Sequence, residues 1–176
     1  MRSNTGEIRL PKNVFNISND FDAHFMEIEL APDFKELLRL FDQNKVKYLL
    51  IGGYAVSLHG FVRATNDIDL AVSDDSDNAR NIVAALTEFG FATESLSEEL
   101  FMKGKQVVRM GVEPVKIEIL NYLDGPGFAA AYERRKTISV EDIKVDVIAL
   151  EDLYANKAAV GRSQDLADIE NLRERN

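Results

Sequence analysis

The chain has 176 residues, 45% of them hydrophobic and 29% charged, which is the composition of one soluble globular domain with a sizeable core. It has no cysteine, which excludes disulfides, thiolate metal sites and cysteine nucleophiles, and no apolar run long enough to cross a membrane or to form a signal core, so we expect a cytoplasmic protein. The formal net charge of −9 argues against a protein that mainly binds nucleic-acid phosphates.

The pattern along the chain predicts an N-terminal extension over residues 1–31 and one domain over 32–176. The first thirty residues show no sustained periodicity. From Pro32 onwards, apolar residues recur at helical spacing, which predicts a helix of about ten residues. The interpretable part of the chain therefore begins at this proline.

Helices and strands are interspersed through the rest of the domain. Each predicted strand is a short apolar or alternating run, and each predicted helix has an apolar face or a glycine at its end. In chain order they are a strand over 47–51, a turn at Gly52-Gly53, a short helix over 54–59, a strand over 67–72, a helix over 78–89, strands over 107–110 and 115–120 joined by a turn over 111–114, a short helix over 127–135, strands over 137–140 and 143–148 around a turn at Glu141-Asp142, and helices over 150–160 and 164–173.

Two carboxylates, Asp67 and Asp69, stand one residue apart in the strand predicted over 67–72. Side chains alternate along a strand, so both aspartates point to one face while Ile68 points into the core. Carboxylates held this close repel each other, and a cation such as Mg²⁺ relieves the repulsion. Together with the Gly52-Gly53 pair thirteen residues before it, the acidic pair suggests a metal-dependent nucleotidyl transfer site.

The Gly52-Gly53 pair directly follows the strand predicted over 47–51. Glycine lets the backbone approach a ligand closely and adopt a positive φ, and the helix that follows presents unpaired N–H groups. Such a turn suits a triphosphate, although most glycine pairs are simply turns. The spacing to the acidic pair strengthens the phosphate interpretation.

The segment Leu50-Ile51-Gly52-Gly53, followed by Asp67-Ile68-Asp69-Leu70, resembles the signature of the nucleotidyltransferase superfamily to which DNA polymerase beta belongs. The run over 48–72 is similar to a small bacterial branch that holds antibiotic nucleotidyltransferases and the toxin-type enzymes of abortive-infection and toxin-antitoxin systems. The resemblance covers the layout of residues 34–172, with 48–72 as its specific part. It implies an α+β fold in which a small mixed β-sheet is flanked by helices.

The resemblance also implies roles for the motif residues. Gly52 and Gly53 would hold the triphosphate of a nucleotide, while Asp67 and Asp69 would hold Mg²⁺ or Mn²⁺. In such enzymes a third carboxylate from a neighbouring strand completes the metal site and its catalytic centre.

Two residues are candidates for this third carboxylate. Glu118 alternates with apolar neighbours in the strand over 115–120, and Asp146 has the same local pattern. We prefer Glu118, because its strand is the one on which the family usually places this group. Glu118 could then also accept the proton of the attacking hydroxyl as a general base.

Three further residues are assigned to nucleotide binding by the resemblance. Arg63 and Thr65 match an Arg-x-Thr pattern before the acidic strand, although a salt bridge to Asp67 or a surface loop explains them equally well. Lys157 lies in a Leu-x-x-x-Lys motif near the C-terminus and could reach the nucleotide phosphates.

The residues after Lys157 suggest an ion-pair network that fixes the last helix. Arg162, Asp165 and Asp168 fit the family's C-terminal pattern, and the two aspartates share one helix face. A solvated helix face explains them as well. Gln164 stands where a lysine is frequent in the family, which removes one expected phosphate contact.

The expected function is transfer of a nucleoside monophosphate from an NTP, with ATP as the favoured donor, to an acceptor hydroxyl, with release of pyrophosphate. The acceptor could be a protein, a transfer RNA or a small molecule, although the net charge does not indicate RNA. Because only a short stretch follows Glu118, a homodimer or a cognate protein partner is expected to complete the cleft. The alternative is a catalytically inert nucleotide-binding or partner-binding module on the same fold.

Overall fold

The computed structural model describes residues 30–112, 115–140 and 143–176. Within these ranges the structure contains seven helices and six strands. The helices are α1 (Pro32–Gln43), α2 (Gly52–Leu58), α3 (Ser76–Glu88), α4 (Glu99–Met102), α5 (Phe128–Glu133), α6 (Leu150–Val160) and α7 (Ser163–Arg173). The strands are β1 (Tyr48–Ile51), β2 (Asp67–Val72), β3 (Val107–Val112), β4 (Val115–Leu120), β5 (Lys136–Val140) and β6 (Ile143–Val147). None of these described helices combines the length and the apolar character that a membrane crossing requires.

The six strands form one mixed sheet in the order β3-β4-β2-β1-β6-β5. Strand β1 pairs with β2 antiparallel and with β6 parallel, while β2 pairs with β4 parallel. The hairpins β3-β4 and β5-β6 form the two outer pairs. The α+β fold with a small mixed sheet and flanking helices is thus confirmed.

Strand pairing at the centre of the sheet positions the acidic residues. Asp69 lies opposite Glu118 on β4 and opposite Ile51 on β1. Partners in a parallel pair present their side chains to the same face of the sheet. The acidic side chains and the start of α2, which follows Ile51 directly, therefore meet at one end of the central strands.

The hydrophobic core holds this end of the sheet in place. All four residues of β1 are buried, and the buried side chains of α1 pack the helix onto β6 and α3. Phe34 of α1 meets Tyr54 of α2 edge to face, with ring centroids 5.8 Å apart. Each fully buried side chain of this size stabilises the fold by about 1.5–3 kcal/mol, so the strands that carry the site are rigidly supported.

Two helix boundaries differ from the prediction for physical reasons. Helix α2 begins at Gly52, so the glycine pair forms the first helical turn rather than a turn before it. Helix α3 begins at Ser76, before the predicted start, because the Asp75 side chain caps it by accepting a hydrogen bond from the backbone N–H of Asn78 at 2.9 Å. Helix α4, with only four residues, was not predicted because it is too short to show a period.

Parts of three predictions lie outside the described residues. These parts are residues 1–29 of the N-terminal extension, residues 113–114 of the turn after β3, and the turn at Glu141-Asp142. Of the proposed extension, Leu30 and Ala31 are described, and Leu30 is buried in the hydrophobic core. The predicted turn at 111–114 was wrong at its start, because β3 continues through Gly111 to Val112.

Candidate active site

A cavity of about 470 Å³ opens at the end of the central strands. Its size falls within the ~300–1,000 Å³ of small-molecule sites. The cavity is lined by all eight residues that the sequence analysis preferred for catalysis, metal binding or nucleotide binding, namely Gly52, Gly53, Arg63, Thr65, Asp67, Asp69, Glu118 and Lys157. The fold thus brings together residues that are spread over more than half of the chain.

The anionic part of the cavity comes from β2 and β4. Asp67, Asp69 and Glu118 line it, and each is only partly buried. The pKa of Asp69 is raised to about 7, first by burial and then by the negative charges of Glu118 and Asp67, against which Arg162 and Lys157 act only partially. Negative charge is therefore concentrated here beyond what the neighbouring cations offset.

The glycine pair is required by the packing around it. A Cβ on Gly52 would lie 1.9 Å from Asp69 Oδ2, and Gly52 has a φ of +65°. A Cβ on Gly53 would lie 2.5 Å from Thr65 Oγ1 and 3.3 Å from an Arg63 guanidinium nitrogen. Only glycine lets the start of α2 approach these side chains so closely.

The cationic part of the cavity comes from what we call the Lys157 cluster, composed of Arg63, Lys157, Arg162, Asp165 and Asp168. The Lys157 ammonium lies 2.9 Å from Asp165 Oδ1 and 2.8 Å from Asp168 Oδ2. Arg63 donates two hydrogen bonds to Asp168, at 2.9 and 3.1 Å, and Arg162 binds Asp165 at 2.8 Å. The predicted network thus exists and also includes Lys157 and Arg63, so it connects α6 and α7 to the loop before β2.

Burial makes the Lys157 cluster unusual. Lys157 is 3% exposed, Asp165 2% and Asp168 0%. Burial alone would raise the pKa of both aspartates, but hydrogen bonds from the cluster's cations outweigh it and hold each pKa below its usual value. Gln164, the departure from the family pattern, donates to Asp168 Oδ1 at 3.0 Å and so serves the same carboxylate.

Glu118 has a partner that the sequence did not reveal. The Nε of Arg109 on β3 donates to Glu118 Oε1 at 2.7 Å, and the two residues are opposite each other in the β3-β4 pair. In the described part of the chain, no three His, Asp or Glu side chains are arranged so that they could bind one metal ion together. Asp67 and Asp69 offer the hard oxygen donors that Mg²⁺ prefers, and Glu118 can join them once its oxygen leaves Arg109.

Asp146 and His59 lie away from this chemistry. Asp146, the rival third carboxylate, is not among the cavity residues, and its side chain accepts from Thr137 and from Arg135 Nε, the latter at 3.0 Å. His59 is buried at the end of α2, where its Nε2 lies 2.8 Å from the Ile148 carbonyl oxygen. Neither contributes a side chain to the cavity.

Four other cavity residues with polar side chains were not indicated by the sequence. Tyr122 and Asp124 follow β4, Asn156 belongs to α6, and Arg109 belongs to β3. Their positions depend on how loops and strands meet in space, so no local spacing could have indicated them.

The structure resembles two solved structures in fold. A candidate nucleotidyltransferase (TM1012) from Thermotoga maritima aligns with a TM-score of 0.56 and 15% identity, covering 86% of this chain and 99% of that chain. The lincosamide antibiotic adenylyltransferase LnuA, solved with lincomycin bound, aligns with a TM-score of 0.52 and 19% identity, covering 82% of this chain and 96% of that chain. At these identities the likeness shows a shared fold.

The sequence itself gives the assignment of family. No curated protein matches it significantly. The family model "Nucleotidyltransferase of unknown function (DUF6036)" matches residues 28–173, which is most of the chain. The chain therefore belongs to this nucleotidyltransferase family, and it is an enzyme of the nucleotidyltransferase class.

Proposed function

We propose that this enzyme is metal-dependent and transfers a nucleoside monophosphate from an NTP to an acceptor hydroxyl, with release of pyrophosphate. One observation carries the proposal: the same cavity is lined by the carboxylates of β2 and β4 and by the cations of the Lys157 cluster. A carboxylate group suits a divalent cation, and a cationic group suits the phosphates of an NTP. LnuA, which shares the fold, is an adenylyltransferase, so ATP is the donor to test first.

Asp67 and Asp69 would hold Mg²⁺ or Mn²⁺, and Glu118 would complete the set after release from Arg109. The pKa of Asp69, raised first by burial and then by the charges of Glu118 and Asp67, supports this assignment, because a bound cation would favour the charged carboxylate. When bound, the metal neutralises charge that develops on the phosphates during transfer.

The other residues would bind and orient the donor. The backbone N–H groups of Gly52 and Gly53 at the start of α2 would donate to phosphate oxygens. Lys157 and Arg63 would place positive charge beside the same phosphates, and their own aspartate partners would hold them in position. Thr65, packed against Gly53, would fix the loop that carries Arg63.

Metal-dependent nucleotide binding is the first expected result. Calorimetry with ATP, GTP, CTP and UTP should show that at least one nucleotide binds to the wild type, and that binding weakens at least tenfold without Mg²⁺. The double variant Asp67→Asn/Asp69→Asn should lose the Mg²⁺ dependence, because amides are weaker ligands than carboxylates. A folded wild type that binds no nucleotide in either condition would contradict the proposal.

We propose Glu118 as the group that accepts the proton of the attacking hydroxyl. Glu118→Gln keeps the shape of the side chain but removes its basicity, so turnover should fall by about 10²- to 10⁴-fold. Nucleotide binding should weaken less than in Asp67→Asn/Asp69→Asn, because both aspartates remain to hold the metal. Asp146→Asn is the matched control, because it neutralises the rival carboxylate outside the cavity. If Asp146→Asn abolished turnover and Glu118→Gln did not, the two assignments would have to be exchanged.

The biological setting that we propose is a toxin-type role in the cytoplasm, with a second copy or a cognate protein completing the cleft. The resemblance of residues 48–72 to toxin-type enzymes and the absence of cysteine support it. Expression of the wild type should then arrest bacterial growth, whereas the Asp67→Asn/Asp69→Asn variant at the same level should not. Equal growth of the two strains, measured by colony counts, would remove the toxin role.

A further inference from the structure

One ammonium group of the protein itself lies beside the cavity. The Lys105 side chain, which is largely exposed, forms an ion pair with Asp124, and its Nζ lies 5.0 Å from the centre of the Tyr122 ring. Tyr122 and Asp124 line the cavity, whereas Lys105 does not. An aromatic face and a carboxylate around one ammonium is the chemistry by which proteins recognise organic cations.

Asp124, one of the two residues that surround this ammonium, has a backbone that is anchored on α6. The Asn156 side chain of α6 donates to the carbonyl oxygen of Asp124 at 3.0 Å. Gly125, the next residue, packs so closely on α6 that a Cβ would lie 2.6 Å from the Ala155 carbonyl oxygen. The frame around the ammonium is therefore preorganised, which lowers the entropic cost of binding a ligand there.

Lys105 is held differently. The buried Asn121 side chain fixes the backbone around it by accepting from Gln106 N–H at 2.8 Å and donating to the Gly104 carbonyl oxygen at 2.9 Å. Only the side chain of Lys105, which is flexible and solvated, reaches Asp124. It can therefore swing away into water at small cost when another cation takes its place.

The charges around the cavity favour a cationic ligand at this position. Arg109 is bound by Glu118, and Arg162 is bound by Asp165, so these two cavity cations already have carboxylate partners. If Lys105 leaves, Asp124 joins Asp67 and Asp69 as a cavity carboxylate that has no ion pair in the described contacts. A ligand ammonium would restore that balance.

We propose that Tyr122 and Asp124 form the subsite for an ammonium group of the acceptor, so that the acceptor is a small hydroxylated amine. This inference rests on the proposed function and specifies its acceptor. In the transfer, the acceptor hydroxyl oxygen forms a bond to the α-phosphorus, the bond from that phosphorus to pyrophosphate breaks, and the hydroxyl proton passes to Glu118. In the acceptor-free enzyme, Lys105 fills the ammonium subsite.

The test compares two probes that differ in one group, glucamine (1-amino-1-deoxysorbitol) and sorbitol. Amide NMR titrations in the presence of Mg²⁺ and ATP should show that the wild type binds glucamine about tenfold more tightly than sorbitol. Asp124→Asn should reduce this preference to less than about twofold. Lys105→Ala should tighten glucamine binding about threefold and leave sorbitol binding unchanged, because it removes an internal competitor.

Lys103→Ala is the matched control, because Lys103 is an exposed lysine two residues away that pairs with Glu99 and does not contact Tyr122 or Asp124. Equal binding of the two probes to the wild type would overturn the inference. So would an equal gain in glucamine affinity in Lys103→Ala and Lys105→Ala, which would indicate a general effect of net charge. Binding of Mg²⁺ and ATP is measured on the same samples. If both bind but the wild type does not prefer glucamine, the acceptor inference is wrong while the proposed function stands.

Discussion

Replacing Lys157 by methionine is expected to lower the free energy of unfolding by about 3–5 kcal/mol. The ammonium of Lys157 bridges two carboxylates that are almost completely buried, Asp165 and Asp168. Methionine fills a similar volume but has no positive charge, so the charges of the two buried carboxylates are less well compensated. Denaturant unfolding at neutral pH measures the difference. The free energies of unfolding of the two proteins are extrapolated to zero denaturant with the same m-value.

The control for this prediction is the same substitution at an exposed site. Lys103 pairs with Glu99 on the surface, with both side chains more than two-thirds exposed, so Lys103→Met should change stability by less than about 0.5 kcal/mol. A loss below about 1 kcal/mol in Lys157→Met would mean that Arg63 and Arg162 alone compensate the two aspartates. The Lys157 cluster would then serve the nucleotide more than the fold.

Replacing Gly52 by alanine is expected to reduce turnover at least about 100-fold, because Asp69 must move by an ångström or more to admit the new Cβ. Alanine at this positive φ also costs about 1–2 kcal/mol of stability in backbone strain. Pyrophosphate release assays measure the first effect, and denaturant unfolding measures the second.

A variant at Gly104 separates the effect of backbone strain from the effect of the steric clash with Asp69. Its φ of +60° is close to the +65° of Gly52, but a Cβ there would meet nothing within 4 Å. Gly104→Ala should therefore show the strain without the loss of turnover. If Gly52→Ala is too unstable to assay, the double variant Gly52→Ala/Asp69→Ala removes the Asp69 carboxylate but keeps its Cβ, which would lie 2.9 Å from the new Cβ. It should therefore recover part of the stability but not turnover. Equal turnover in Gly104→Ala and Gly52→Ala would refute the steric argument.

Much of the fold could be predicted because strong local patterns dominate it. The bounds of β2, β4 and α6 agree with the prediction, since each is followed at once by a polar or glycine residue that marks its end. Helix α2 was placed too late because glycine is normally read as a breaker. Here the helix begins directly at Gly52, and the close approach of Asp69 and Thr65, which requires glycine at both positions, comes from residues more than ten positions away.

The candidate site was predictable in its motif residues but not in their partners. Asp67 and Asp69 are recognisable from their spacing alone. The pairing of Arg109 with Glu118 depends on the register of the β3-β4 hairpin, and residues 113–114 of its turn carry no pattern that fixes this register. The contact of Lys105 with Tyr122 and Asp124 joins two loops, where periodicity gives no information. The roles of the eight cavity residues remain predictions until the variants are measured.

The Lys157 cluster can form only after the residues of α7 have been made, because the ribosome makes the protein from its N-terminus. The carboxylates of β2 and β4 belong to residues 67–118, so they leave the ribosome before Lys157, Arg162 and Asp168. Arg63 finds its aspartate only when Asp168 has arrived. We therefore expect a chain that stops before α7 to have an acidic cavity, an Arg63 without its aspartate partner, and no activity.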